Sequence, residues 1–211
     1  HRTLILPQLA GPGVAAFEVT RRSGFKVIYE PIKASDLPSF LDSGLKATPE
    51  MRTKTFTASE RLVLVPVEAI GAIKIGALII VAIFIISFFL AGGSANIAFQ
   101  YAYNAIVALA LGILAGAVVT PLLLPLLPGR SFSVKGLLPG LIGAAVFILL
   151  QRHGQAGKEA FGLYMWLPSI PAISTYLAMN FTGSTTFTSL SGVRKEMRWA
   201  VPLQIIGVTC G

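Results

Sequence analysis

The chain of 211 residues is 54% hydrophobic and only 12% charged, whereas an average soluble domain is about 25% charged, so the composition indicates both an aqueous and an apolar environment. The formal net charge of +8 comes mostly from residues 69–211, and no basic run with interleaved aromatic residues indicates a nucleic-acid partner. The single cysteine, Cys210, excludes a disulfide framework, and His1 and His153 have no partners at metal-ligand spacing, so no metal site is predicted.

The chain begins with short elements separated by turn residues. Thr3–Leu6 is predicted as a strand, and the glycine- and proline-rich segment Pro7–Gly13 as a loop. Gly13–Ser23 is predicted as a helix with two arginines in its last turn, and Phe25–Tyr29 as a second strand.

The pattern continues with a helix from Ser35 to Leu41, a loop over Lys46–Arg52, a candidate strand at Thr53–Thr57 and a buried strand at Arg61–Val67. Alternation of strands and helices favours a parallel α/β sheet. Residues 1–68 are therefore interpreted as the C-terminal portion of a partial Rossmann-like α/β domain.

From Ile75 to Gly129 the sequence contains no charged residue. A transmembrane helix needs about 20 apolar residues, and residues 69–211 supply several such stretches. We predict an all-α bundle of four spans plus a truncated fifth: Ala69–Ala91, Ile97–Val119, Val134–Leu150, Phe161–Phe181 and a fifth from Trp199.

The basic residues between spans predict the orientation of this bundle. Arg130 and Lys135 lie in one predicted loop, and Arg194, Lys195 and Arg198 lie in the polar linker Thr182–Arg198 on the same side. The positive-inside rule then puts this side, and the α/β domain, in the cytoplasm, with the bundle in the cytoplasmic (inner) membrane.

Two segments are candidates for function. The loop Pro7–Gly13 follows a strand and precedes a helix, which suits close approach of a flat or phosphorylated ligand, although Gly-Pro-Gly is also an ordinary turn. The stretch Asn180–Gln204 is rich in Ser and Thr and then charged, and it is either an interaction site or a connecting loop. No Asp, Glu or Arg is predicted deep in any span, which argues against ion-coupled transport.

Four sequence segments carry a resemblance to a known family: LILPQLAGPGVAAFEV, GFKVIYEPIKASDLPSFL, KATPEMR and ERLVLVPVE. They resemble the corrinoid-binding domain that is shared by the large subunit of the corrinoid iron–sulfur protein and the mercury-methylating corrinoid proteins of the HgcA family. The fusion to a membrane bundle, together with the segment NFTGSTTFTSLSGVRKEMRWAVPLQ, favours the second of these families.

The resemblance implies a cofactor and partners. The cofactor is a cobamide, and the activity is corrinoid-dependent methyl transfer from a methylated folate to Hg(II), giving methylmercury. A ferredoxin-like protein with two [4Fe–4S] clusters is the implied reductant. The family's cap-helix motif, N-V-W-C-A-A/G-G-K, does not occur in this sequence and is expected upstream of His1. The axial cobalt ligand, and with it the catalytic residue, is therefore not assigned.

The resemblance also implies which loops contact the cofactor. Pro7–Gly13 and Tyr29–Pro31 would face the corrin or its tail, and Lys46–Arg52 would line the rim. The implied cofactor-binding residues are Gln8, Leu9, Ala10, Gly11, Gly13, Tyr29, Glu30, Pro31 and Thr48.

Two alternatives stay open at this point. One is a corrinoid methyl carrier of an acetyl-CoA-type pathway that does not act on mercury. The other belongs to a different class: a membrane transporter or receptor with a cytosolic α/β regulatory domain. If the chain belongs to the mercury-methylating family, the bundle is expected to act as a passive anchor in the lipid bilayer.

Overall fold

A computed structural model of the chain describes residues 2–54, 57–152, 164–184 and 190–210. The chain divides into two compact units, His1–Thr55 and Phe56–Gly211, named below the N-terminal unit and the helical unit. The division therefore follows Thr55, whereas the sequence predicts it after residue 68. It precedes the first long helix instead of cutting through it.

The N-terminal unit is built around two parallel strands. The strand pair runs in register from Thr3 beside Lys26 to Leu6 beside Tyr29. Both predicted strands are thereby confirmed, with the second beginning one residue later than expected. In chain order the strands and α-helices are β1 (Thr3–Leu6), α1 (Ala16–Ser23), β2 (Lys26–Tyr29) and α2 (Leu37–Asp42).

Helix α1 makes the crossover between the two strands. It ends where predicted, because Gly24 adopts the left-handed conformation at φ +73° and its N–H donates to Thr20 O at 2.9 Å. It begins at Ala16 and not at Gly13, since the preceding residues form turns. Phe17 on this helix is 74% exposed, so α1 leaves a large apolar side chain outside the small core.

The predicted Rossmann-like α/β fold class is wrong. The structure is 75% helical, and its described residues contain only the two strands β1 and β2. Thr53 and Lys54 lie in no strand, and Thr55 and Phe56 lie outside the described residues. The predicted buried strand Arg61–Val67 is helical and therefore does not extend the sheet.

Helix α3 spans Ala58–Leu90 and explains this error. Thr57 and Glu60 form a capping box: the Thr57 side chain accepts from the Glu60 N–H, and the Glu60 side chain accepts from the Thr57 N–H. The alternating valines that follow have high strand propensity, which tertiary and solvent context commonly overrides. In an apolar medium a helix satisfies every backbone group internally, so a β-branched run can continue as a helix.

The remaining described α-helices are longer than those of the N-terminal unit. After a turn at Ala91–Ser94, α4 covers Ala95–Ile113 and continues through a π-helical segment, Leu114–Val119, into a last turn at Thr120–Leu122. The Thr120 hydroxyl donates to Ala115 O at 2.7 Å within this segment. The others are α5 (Phe132–Arg152), α6 (Trp166–Asn180) and α7 (Leu190–Thr209).

Three helices are long and apolar enough to cross a membrane: Ala58–Leu90, Ala95–Leu122 and Phe132–Gln151. They confirm the first three predicted spans. The fourth predicted span corresponds to the shorter helix α6, and its residues 161–163 lie outside the described residues. The predicted polar linker Thr182–Arg198 is partly wrong, because α7 already begins at Leu190 and carries the charged residues with it.

Small residues, among them Gly112 and Gly116, allow the helices of this unit to approach closely. A Cβ atom added at Gly116 would lie 2.6 Å from Ser174 O, and one at Gly136 would lie 2.7 Å from the Ala178 Cβ. Such contacts are typical of helix packing in membranes, where van der Waals contact replaces the hydrophobic effect as a driving force. A buried cluster of Ala108, Ala144, Phe147 and Ile170 lies beside this contact.

Candidate functional site

Three predicted ligand-binding segments meet at one edge of the strand pair. Because β1 and β2 are parallel and end together at Leu6 and Tyr29, the loops that follow them leave from the same edge. The loop after β1 is Pro7–Gly13, and the segment after β2 begins at Glu30. We call these two segments, with the Lys46–Arg52 segment that contacts Glu30, the strand-end surface.

The loop Pro7–Gly13 is held by its own backbone. Residues Gln8–Ala10 form a 3-10 turn in which Ala10 N–H donates to Pro7 O at 2.9 Å. The N–H groups of Gly13 and Val14 both donate to Ala10 O, each at 3.0 Å. These main-chain hydrogen bonds give the exposed loop a defined conformation.

Tyr29 ties the first loop to the second strand. Its hydroxyl donates a hydrogen bond to the backbone oxygen of Val14, just before helix α1. Pro31, two residues later, is buried. Both residues therefore position the strand-end surface, and the Tyr29 hydroxyl proton is already engaged.

Glu30 joins the third segment to this edge. One carboxylate oxygen lies 2.5 Å from Arg52 Nη2, and the other accepts from Ala47 N–H at 3.3 Å. Ile32 N–H also donates to Met51 O at 3.1 Å. The Arg52 side chain is 52% exposed, so solvent screens this ion pair, and the surface carries no large net charge.

The structure thus brings all the implied cofactor-binding residues to one region, but with different roles. Ala10 and Glu30 are partly buried, and Tyr29 and Pro31 support the loops. The residues that present free surface to solvent are Gln8, Leu9, Gly11, Gly13 and Thr48. This surface consists of the loop backbone, the Leu9 side chain and the polar side chains of Gln8 and Thr48.

At both glycines of the loop, Gly11 and Gly13, the structure leaves room for a Cβ atom. A Cβ at Gly11 would meet Gln8 O at 3.4 Å, and one at Gly13 would meet Ala10 O at 3.8 Å, which are ordinary contacts. Neither glycine has a positive φ. The fold itself does not demand glycine at these positions, and their bare backbone leaves room for a flat ligand to approach.

The strand-end surface offers a ligand backbone and apolar groups rather than a metal site. Among the described residues no group of three His, Cys, Asp or Glu side chains could hold a metal ion. Cys210 is exposed and follows the end of helix α7, in the other unit. The described residues of the N-terminal unit therefore provide backbone and apolar contacts and no thiolate or imidazole for cobalt.

Comparisons with protein-family models, with curated proteins and with solved structures give no match.

Sequence reasoning missed a set of buried charges in the helical unit. Arg61 donates from Nη1 to Pro121 O at 3.2 Å and to Leu122 O at 3.1 Å, at the C-terminal end of the α4 segment. Lys135 donates from Nζ to Leu124 O at 2.5 Å and to Leu127 O at 3.1 Å. Each cation thus meets carbonyl groups that follow a helix, where the backbone dipole favours positive charge.

Glu196 is the anionic member of this set and is only 4% exposed. One of its carboxylate oxygens accepts from both the backbone N–H and the hydroxyl of Ser133, each at 2.6 Å. Ser133 lies in the first turn of α5, so the carboxylate binds at a helix N-terminus, where negative charge is favoured. Arg61 and Glu196 are thus buried between helices, although neither lies within a predicted span: Arg61 precedes the first, and Glu196 lies in the predicted linker Thr182–Arg198.

The stretch Asn180–Gln204 contains two of the buried polar groups. It was predicted as an interaction site or a connecting loop, and its residues 185–189 lie outside the described residues. Glu196 fixes helix α7 to α5, and Gln204 is buried between helices. The signal in the sequence was their spacing of eight residues, which places the two side chains about 80° apart around a helix, within the width of one buried face.

Proposed function

We propose that the chain belongs to a membrane-anchored, cobamide-dependent methyltransferase of the mercury-methylating HgcA kind. The observation that supports this most is the strand-end surface, where three of the four segments that resemble the family's corrinoid-binding domain contribute neighbouring loops. The fourth, ERLVLVPVE, begins helix α3 and does not contribute to this surface. The proposal therefore rests on the loops of the N-terminal unit. A methylated folate is the proposed donor, Hg(II) the acceptor and a ferredoxin-like [4Fe–4S] protein the reductant.

In this proposal the residues of the N-terminal unit bind and orient the cofactor. When bound, a cobamide supplies the cobalt that carries the methyl group. Gly11 and Gly13 offer flat backbone to its ring edge, and Leu9, which is 56% exposed, offers an apolar contact. Gln8 and Thr48 provide hydrogen-bonding groups for the amide side chains of a corrin ring. No step at the metal is assigned to these residues.

The helical unit is proposed to anchor the protein in the cytoplasmic membrane, with the N-terminal unit in the cytoplasm. Arg61 at the start of α3 contacts the end of the α4 segment, and Glu196 of α7 contacts the start of α5. The exposed basic residues Arg130 and Arg194 lie near these contacts in the sequence, Arg130 just before α5 and Arg194 two residues before Glu196. A shared basic end supports a cytoplasmic position for the start of α3.

The transporter or receptor alternative gains no support from the buried charges. Ion-coupled transport needs ionisable groups that exchange a cation or proton along a pathway. Arg61, Lys135 and Glu196 are instead bonded to backbone groups at or next to helix ends. These contacts hold helices together, and they favour the anchoring role.

The test is cobamide retention and methyl transfer by the full-length protein, purified from its own membranes. Wild type is expected to carry a cobamide absorption band and to form methylmercury from Hg(II), a methylated folate and a low-potential reductant. Gly13→Val is expected to lower cobamide retention about tenfold, which corresponds to roughly 1.4 kcal/mol of affinity, because the new side chain occupies the ligand's side of the loop.

Gly71→Val is the matched control, since a Cβ at Gly71 on helix α3 has no neighbour within 4 Å. It should retain the cofactor at the wild-type level. Absence of any cobamide from the wild type would refute the proposal. Bound cobamide without methylmercury formation would favour the corrinoid carrier that does not act on mercury.

A further inference from the structure

A cavity of about 210 Å³ lies between helices α5, α6 and α7 of the helical unit. Its walls are mostly apolar and include Val134, Pro171 and Leu203. On α7 the lining residues Ala200, Leu203, Gln204 and Gly207 follow the spacing of one helix face. The alanine and the glycine leave space that larger side chains would fill.

One polar side chain in this cavity is unsatisfied. Gln204 is only 7% exposed, and neither its amide nitrogen nor its amide oxygen has a hydrogen-bond partner in the described part of the chain. The other hydroxyl groups of the wall are engaged, since Ser133 donates to Glu196 and Thr175 donates to Ala172 O at 2.9 Å. A buried amide without partners costs about 1–3 kcal/mol, so a partner other than the described residues is expected.

Water alone does not suit this space. At roughly 30 Å³ per molecule, 210 Å³ corresponds to about seven waters, each of which needs two to four polar partners. The wall offers one free amide. The cavity is larger than the apolar cavity of about 150 Å³ that binds benzene in an engineered protein, so one substituted aromatic ring fits it.

The residues at the opening of the cavity indicate the side from which a ligand would enter. Val134, Leu137, Trp199 and Leu203 line the cavity and are each partly exposed on the outer surface of the helices. Val134 and Leu137 belong to a helix long and apolar enough to span a membrane. The opening therefore faces the side from which a molecule dissolved in the bilayer would enter.

We propose that this cavity binds a neutral, membrane-dissolved aromatic alcohol of the phenol class. Its hydroxyl donates to the Gln204 amide oxygen and accepts from the amide nitrogen, and its ring lies against Trp199. The ligand is neutral because an anion would lie close to Glu196, which is bonded to the lining residue Ser133. This site is separate from the strand-end surface and does not depend on the proposed methyl transfer.

The experiment uses Trp199 as a reporter in the purified protein in lipid nanodiscs. The chain has two tryptophans, and Trp166 packs elsewhere, against the buried cluster around Phe147, so Trp166→Phe leaves Trp199 as the single fluorophore. The probes are 4-bromophenol and bromobenzene, which differ by the hydroxyl, and bromine quenches tryptophan on contact. We expect saturable quenching by 4-bromophenol, half complete at about one tenth of the bromobenzene mole fraction in the bilayer, as one hydrogen-bonding group predicts.

Two variants separate binding from partitioning into lipid. Gln204→Leu should remove the preference for the phenol and leave the fold unchanged, because the Gln204 amide bonds to none of the described residues. Ala200→Leu should abolish saturable quenching by filling the cavity. Tyr101→Phe, which removes an exposed hydroxyl from helix α4, is the control and should behave as the parent does.

Quenching that rises linearly and equally with both probes would overturn the proposal, as would a phenol preference that survives Gln204→Leu. If Ala200→Leu fails to fold, the Gln204→Leu titration alone decides the outcome.

Discussion

The two units of this chain place their polar and apolar groups in opposite ways. The N-terminal unit keeps all its described charges at least partly in solvent, and Phe40 is the only large side chain among its described residues that is completely buried. The helical unit buries Arg61, Lys135 and Glu196 and exposes leucines and isoleucines along helix α3. Solvent-exposed charges are typical of a protein in water, whereas buried charges and exposed apolar side chains are typical of a protein in a bilayer.

The difference shows what holds each unit together. Removing apolar surface from water stabilises a soluble fold, and the N-terminal unit has little of it to remove. In lipid that driving force between helices is absent, and close packing and satisfied polar groups replace it. Substitutions at comparable residues in the two units should therefore have different effects, and four of them test the comparison.

The largest effect is expected at Phe40. Phe40→Ala should cost about 3–5 kcal/mol, which a unit with so small a core does not withstand, while the helical unit keeps its structure. Hydrogen exchange of residues 2–54 and 57–152 in the purified protein measures the two units separately. Phe17→Ala, at a phenylalanine that is mostly exposed, is the control and should stay within about 0.5 kcal/mol. Equal effects of the two substitutions would show that Phe40 is not the core.

The next effect is expected at Glu196. Glu196→Ala leaves the N–H and the hydroxyl of Ser133 without their acceptor and should cost about 2–3 kcal/mol in the free energy of unfolding of the helical unit. Unfolding by denaturing detergent, followed by circular dichroism, measures it. Glu18→Ala in helix α1 removes a solvent-exposed pair with Arg21 and Arg22 and should cost less than about 1 kcal/mol. A larger loss at Glu18 would reverse the comparison.

Substitutions at two glycines are expected to change the stability of the helical unit by smaller amounts and in opposite directions. Gly116→Ala pushes a methyl group against the backbone of Ser174 and should destabilise the helical unit by about 1–3 kcal/mol. Gly71→Ala on helix α3 meets no neighbour and should stabilise it by up to about 1 kcal/mol through helix propensity. The same detergent-unfolding assay compares them. Shifts of equal sign would argue against close packing at Gly116.

The smallest effect is expected at the ion pair of the strand-end surface. Glu30→Gln should cost at most about 1 kcal/mol, because Arg52 is half exposed and solvent screens the pair. Thermal unfolding of the N-terminal unit at low and high salt measures it, and the difference from wild type should shrink as salt rises. A salt-independent loss of several kcal/mol would mean that the pair is buried in the protein.

The sequence predicted much of the secondary structure of the N-terminal unit. Gly24 marked the end of α1, and the apolar tetrapeptides marked β1 and β2, because these signals act over a few residues. The strand prediction failed at Arg61–Val67, where the capping box of Thr57 and Glu60 and an apolar surrounding outweigh the propensity of alternating valines.

The candidate site was predicted as three separate segments, and the tertiary structure joined them. Nothing in the sequence pairs Glu30 with Arg52 or Tyr29 with Val14, because side-chain contacts across such separations depend on how the chain folds back. The buried charges were missed for the same reason. Lys135 and Glu196 lie near helix ends in the sequence, which does not reveal whether a helix end faces solvent or a neighbouring helix.

The sequence by itself determined the division of the chain into a charged part and an apolar part, the positions of three membrane-length helices and the local turns, since composition and short-range signals dictate these. Only the tertiary structure decided that, among the described residues, the two strands pair only with each other and Gln204 lies in a cavity without a hydrogen-bond partner, and that Glu196 binds the first turn of α5. These outcomes depend on packing between segments distant in the chain, and packing is a property of the assembled helices.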